Sequence, residues 1–125
     1  MEATPDASQP PPLTPAEQQL LREIGRGEPP LLRLRTATTV DVGQWFRSGR
    51  VCVGVWPDRV ALFASGRRPY REVVARSELR GSLYNFLTGE LALATAATAV
   101  RRLKLAPREA YQVLSHINRK ESVHA

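Results

Sequence analysis

Cysteine is almost missing from this chain: Cys52 stands alone among 125 residues. That excludes a disulfide framework and a cysteine-based zinc cluster, and it favours a reducing, cytoplasmic setting. Histidine is nearly as scarce. His116 and His124 lie eight apart with no cysteine to join them, so no metal site is expected. Long apolar runs are also lacking: no window approaches the roughly 18 residues that span a bilayer. No transmembrane segment is therefore expected, and any meeting with a membrane is peripheral. The opening MEATPDASQPPPLTP has no basic start, apolar centre or small-residue cleavage site, and so does not read as a signal peptide. Neither GxxxxGK[ST] nor GxGxxG occurs, which removes the nucleotide-loop readings. Nothing in the pattern calls for a cofactor.

What is present is a basic body. The net charge is +6, and it is unevenly placed. Residues 1–30 carry five acids and two bases; the remainder carries seven acids and 16 bases. Such a body favours polyanionic partners: phospholipid headgroups, acidic protein surfaces or nucleic acid. Sixteen of the 18 basic residues are arginine, a bias that a GC-rich genome also produces. The length suits one domain whose hydrophobic core holds without staples.

Residues 1–13 are proline-rich and poor in bulky apolar side chains, so they are expected to be disordered. Thr14-Pro15-Ala16-Glu17 opens a short helix over 14–25, with Thr14 as cap, Pro15 in the first turn and Glu17 completing a capping box. Leu20, Leu21 and Ile24 form a narrow stripe, and Gly25 with Gly27 ends the helix. At under three turns it needs the domain or a partner to pack against. In LLRLRTA, Leu32 and Leu34 alternate with Arg33 and Arg35, a half-buried strand with its basic side outward. Residues 40–47 either extend that strand past a bulge or form a strand of their own.

From Arg50 the punctuation is clearer. Strands are expected over RVCVGVW, RVALFA, YREVVA, SLYNFLT, ELALAT and VRRLKL, separated by Pro57-Asp58, a Ser65–Pro69 loop, a polar Arg76–Gly81 connection, a Thr88-Gly89 turn and Ala96–Ala99. Val51, Val53 and Val55 oppose Cys52, Gly54 and Trp56, so both faces of that strand look covered. In SLYNFLT, Leu83, Asn85 and Leu87 oppose Tyr84 and Phe86. Leu91 with Leu93, and Leu103 with Leu105, point inward. Pro107 opens a helix over 107–119 in which Ala110, Val113, Leu114 and Ile117 form the stripe and Tyr111 widens it. One such helix must plug the mouth of something. Residues 120–125 are expected to be a disordered tail.

Seven short strands closed by one helix over about residues 31–119 resemble the pleckstrin-homology (PH)-like fold, a bent seven-stranded antiparallel sandwich or barrel capped by a C-terminal helix. VCVGVWPDRVALFA, NFLTGELAL and LKLAPREAYQVLSHI are similar to bacterial members. The resemblance implies a binding or adaptor module. Phosphoinositide-binding relatives carry a basic residue on the first strand and an Arg-x-Arg-like pair early in the second. Arg33 and Arg35 supply the first. After Arg50, however, the second strand runs Val-Cys-Val-Gly-Val, and many PH-like domains dock peptides instead.

No catalytic constellation is apparent. Cys52 sits mid-strand between valines, where cysteine is an inert small hydrophobe. Ser115 and His116 are neighbours on a helix and point apart. Asp58, Glu72, Glu78 and Glu90 each have an ordinary turn or strand setting. The remaining functional material is basic. Arg67 and Arg68 at a loop tip, with Arg71 just after and Arg33 and Arg35 on the first strand, are candidates to grip a phosphate or carboxylate. Arg101, Arg102 and Lys104 form a second group, which edge solubility also explains. Trp45 and Phe46 beside Arg47 suit either a membrane or peptide contact or the core. The expectation is a soluble, non-enzymatic module, cytoplasmic or peripheral at a membrane, that engages an anionic phospholipid surface or a protein partner. A nucleic-acid-binding basic β domain ranks below it, since the eight aromatics mostly fall at positions the alternation buries and no RNA- or DNA-reading motif is present.

Overall fold

A computed structural model describes residues 13–43 and 48–119. The described chain is mainly β with two helices. α1 spans Pro15–Gly25, and four strands follow: β1 (Leu32–Val40), β2 (Gly49–Val55), β3 (Arg59–Ala64) and β4 (Tyr70–Ala75). They make one antiparallel meander. β5 (Leu83–Asn85), β6 (Glu90–Ala92) and β7 (Arg102–Lys104) make a second, three-stranded antiparallel sheet, and α2 spans Pro107–Ile117. Seven strands in a four-plus-three arrangement match the expected number, but they form two layers, not one closed barrel.

The main core lies between the layers. Val51, Val53 and Val55 of β2 meet Leu91 of β6, Leu103, Leu105, and the α2 stripe Ala110, Val113 and Ile117. Leu114 is half-buried against the same core. Tyr111 does not widen the stripe: it is exposed to solvent beside it. Glu109 reaches back to the Ala106 N–H at 3.1 Å, which steadies the start of α2.

β1 is bent to join the sheets. Its register against β2 slips between Arg35 and Thr39, where the Thr36 hydroxyl donates to the Val51 carbonyl at 2.8 Å. Beyond the bulge the Thr38 hydroxyl accepts the Lys104 N–H at 2.7 Å and donates to the Arg102 carbonyl at 3.4 Å. The first sheet is thus stitched to the second at β7.

A second apolar cluster lies on the other face of the first sheet. Leu20, Leu21 and Ile24 of α1, with Leu13, pack on Cys52, Trp56, Ala61 and Phe63. The leading helix therefore folds back on the sheet, and the two central strands are buried on both faces. Leu13, assigned by its sequence to the proline-rich tail, belongs to this layer; residues 1–12 lie outside the described residues. Gly25 permits the close approach, because a Cβ there would stand 2.8 Å from the Trp56 ring. Arg26 takes a left-handed conformation (φ 53°) to end the helix.

Two expectations are corrected in detail, and a third falls largely outside the described residues. The last three strands are shorter than the alternation implied. In the first of them, the Asn85 side chain accepts the Leu87 and Thr88 N–H groups at 2.8 and 3.4 Å, so the turn begins at Asn85 and leaves Phe86 and Leu87 outside the strand. The Arg76–Gly81 connection is not merely polar: Arg76–Leu79 is a 3-10 turn that buries Leu79. Residues 40–47 do not resolve into either alternative, since β1 ends at Val40 and 44–47, including Trp45, Phe46 and Arg47, lie outside the described residues.

Val42, after β1, is buried against the β3–β4 turn, and its carbonyl accepts the Arg68 N–H at 2.6 Å. A Cβ on Gly66 would fall 2.3 Å from the Val42 side chain. Gly66→Ala is therefore expected to lower stability by about 1–3 kcal/mol. Urea denaturation checks it, and an unchanged midpoint would mean the two connections are not packed together.

Candidate functional site

Register places the predicted arginines. Across the outer face of the first sheet, one row runs Arg35, Cys52, Phe63, Arg71 from β1 to β4, and the next runs Arg33, Gly54, Ala61, Val73. α1 lies on this face. Its Glu17 takes Arg35 at one edge: Arg35 Nε donates to Glu17 Oε2 at 3.1 Å, and Nη2 pairs with Oε1. Its Glu23 meets Arg71 at the other edge, at 3.5 Å. The basic side of β1 points outward as its alternation implied, but α1 covers Arg35 and leaves Arg33 exposed.

The two pairs differ in weight. Arg71 and Glu23 are each about half exposed (54% and 49%), so their attraction is worth at most about 1 kcal/mol. Glu17 is buried, and it is held from three sides. Arg35 and the Thr14 N–H (2.9 Å) donate to it, and so does the Cys52 thiol (3.1 Å). Burial alone would raise its pKa; hydrogen bonds from Arg35, Thr14 and Cys52 overcome that and hold it at about 2. The Cys52 thiol is pushed the other way, to about 12, first by burial and then by the carboxylate it donates to. A thiol held that high stays protonated and serves as a hydrogen-bond donor.

The remaining candidates are separated. Arg33 is exposed near the far end of β1, beside a cleft lined by Leu21, Arg22, Pro29 and Pro30. Arg71 borders a cleft of about 600 Å³ between the end of α1 and β4, which Glu23, Glu28, Asp58 and Arg59 also line. That cleft is internally neutralised. Arg59 pairs with Asp58 at 2.7 Å and Glu28 at 3.5 Å, and it lies 4.8 Å from the Trp56 ring centroid.

Arg67 and Arg68 remain together. Both are exposed on the β3–β4 turn, and neither has a carboxylate partner among the described residues. The turn is braced. Val42 sits beneath it, and the Arg68 side chain lies along Gly43, at 2.9 Å from where a Cβ would stand. Gly43 itself has φ +76°, open to glycine at little cost. The connection from β6 to β7 closes the same end: the Ala99 N–H donates to Glu72 Oε1 at 2.7 Å, and Tyr70 O–H donates to the same carboxylate. Burial, then this contact, raises the Tyr70 pKa. Arg101, at the end of that connection, is exposed; Arg102 and Lys104 continue along the outer face of β7.

Sequence reasoning missed two features. Glu17 was legible only as a capping residue; its reach to Arg35 follows from α1 lying across β1. The exposed Phe86 and Leu87 carried no signal beyond the asparagine before them. Among the described residues no group of three or more His, Cys, Asp or Glu is placed to hold a metal, and no helix is long and apolar enough to cross a membrane.

The buried carboxylate makes stability pH-dependent. Glu17 titrates near 4.5 in the unfolded chain and near 2 in the fold. Its contribution is complete above about pH 5 and is lost as pH falls toward 2, a change on the order of 3 kcal/mol. Glu17→Gln should remove that acid-limb dependence and cost about 2–4 kcal/mol at neutral pH. Denaturant midpoints from pH 7 down to pH 3 check it; parallel profiles for parent and variant would show that Glu17 does not hold the helix. Compared with family models, curated proteins and solved structures, the chain has no match, so its activity must be read from its own geometry.

Proposed function

We propose that this chain is a non-catalytic PH-like binding module that docks an acidic protein segment, carboxylate- or phosphate-bearing, at the end carrying Arg67 and Arg68. One observation carries the reading. Two adjacent guanidinium groups stand exposed, without a carboxylate partner among the described residues, on a turn clamped to the neighbouring connection. Such a pair offers bidentate donors at low ordering cost, because the backbone beneath it is already fixed. A four-plus-three antiparallel arrangement with a C-terminal helix supports the PH-like assignment. The positive charge beyond residue 30 speeds encounter with acidic partners.

Arg35 plays no part in this docking, since the buried Glu17 holds it, and Arg71 is partly satisfied by its exposed pair with Glu23 of α1. Arg33 lies toward the other end of the sheet and acts independently. A membrane lipid is the less favoured ligand here, because the described part of this end presents arginines without large exposed apolar side chains.

Fluorescence anisotropy with labelled oligoglutamate and phosphoserine peptides tests the reading. Salt-sensitive binding to at least one is expected, weakened about tenfold or more by Arg67→Glu with Arg68→Glu. No binding at low salt, or binding that the double substitution leaves intact, would overturn it.

A further inference from the structure

The β5–β6 hairpin points its apolar side chains at water. Leu83, Phe86 and Leu87 are 73%, 78% and 96% exposed, and no helix or strand of the described chain covers them. Clusters of this kind on a small domain mark contact surfaces. The hairpin is held rigidly. Asn85 ties down the Leu87 and Thr88 N–H groups, and the Gly89 N–H donates to the Asn85 carbonyl at 2.8 Å. The Phe86 ring stands edge-on to Tyr84, with centroids 5.0 Å apart. Tyr84 in turn donates its hydroxyl to the Leu105 carbonyl at 2.7 Å, and the Leu105 N–H donates to Gly89 at 3.0 Å. The tip is thereby braced against the junction of β7 and α2.

Its surroundings are cationic. Lys104 lies across from Glu90, at the start of β6, and Arg102 lies across from Ala92, in the same row as Leu83. Arg108 is in the first turn of α2, just past Leu105. All three are exposed and without an ion-pair partner among the described residues. The acids nearby are Glu90, half-buried, and Glu109, which is turned back to the Ala106 N–H. Two large apolar side chains at a rigid tip, flanked by exposed cations, suit the boundary of an anionic bilayer, where apolar groups enter the acyl region and cations meet phosphates.

We propose that the β5–β6 hairpin is a membrane wedge: Phe86 and Leu87 enter the interface of an anionic bilayer while Arg102, Lys104 and Arg108 contact headgroup phosphates. β6 leaves the tip at Glu90 and enters the 93–101 connection at its other end, and that connection reaches Glu72 beside the Arg67–Arg68 turn. Seating the hairpin in a membrane therefore leaves Arg67 and Arg68 facing water. The proposal stands on the hairpin alone and does not depend on what the arginine end binds.

Two single-cysteine labels test it. Cys52 is fully buried, so an environment-sensitive dye will react at Leu87→Cys or at Arg67→Cys. With phosphatidylcholine vesicles containing phosphatidylserine, the dye at position 87 should shift to the blue and the dye at 67 should not. Phe86→Ser with Leu87→Ser removes the exposed apolar tip while the Asn85 turn and the Tyr84–Leu105 hydrogen bond remain; it should weaken vesicle partitioning about tenfold or more and leave acidic-peptide binding unchanged. No partitioning at low salt would overturn the wedge, as would a shift at 67 instead of 87 or a serine variant that partitions like the parent. Self-association without vesicles that the serine variant abolishes would assign the hairpin to a second copy of the chain and overturn it equally.

Discussion

A single buried carboxylate decides how this domain is layered. Glu17 receives Arg35, the Cys52 thiol and its own helix start, Thr14. An eleven-residue helix is marginal in water, so α1 persists because it is docked. Leu20, Leu21 and Ile24 supply the apolar part, each worth about 1.5–3 kcal/mol as an upper bound. Apolar contact alone allows sliding, whereas the carboxylate fixes one position, since moving it would leave a guanidinium and a charge desolvated without partners. With the helix fixed, the inner strands have both faces covered and the surface chemistry is redistributed. Acids of α1 engage Arg35 at one edge of the outer face and Arg71 at the other, while Arg33, Arg67 and Arg68 stay exposed.

That redistribution explains which parts of the molecule its sequence disclosed. The valine alternation of β2, the inward Leu103 and Leu105, and the α2 stripe were readable because each is a local period set against one core. The coverage of both faces of β2 was readable too, from Cys52 and Trp56 opposing the valines. Shorter strands at 82–105 were not, because Leu83, Phe86 and Leu87 look like core residues until Asn85 is seen to capture the following N–H groups. Tyr111 misled for a related reason: a large aromatic beside a helical stripe is no proof that it turns inward.

The candidate site was legible residue by residue but not as a surface. Arginine at 33, 35, 67, 68 and 71 is plain in the chain, yet nothing local says that a helix residue 18 positions away will reach Arg35. Long-range pairing sorted the five into engaged and free. Only Arg67 and Arg68 emerge side by side, because Val42 and Gly66 hold their turn in place. The two ends of the molecule then differ in character, one offering guanidinium groups and the other an apolar tip with cations around it.

Because this division depends on α1 being a permanent layer, native-state amide hydrogen exchange at neutral pH tests it most directly. Amides of Leu21 through Gly25, hydrogen-bonded within α1, should exchange nearly as slowly as those of β2 and β3, through the same global opening. Exchange of α1 that is orders of magnitude faster than that of Val53 and Leu62 would contradict the account. The helix would then be a loose flap, and Arg35 and Arg71 would return to the open surface.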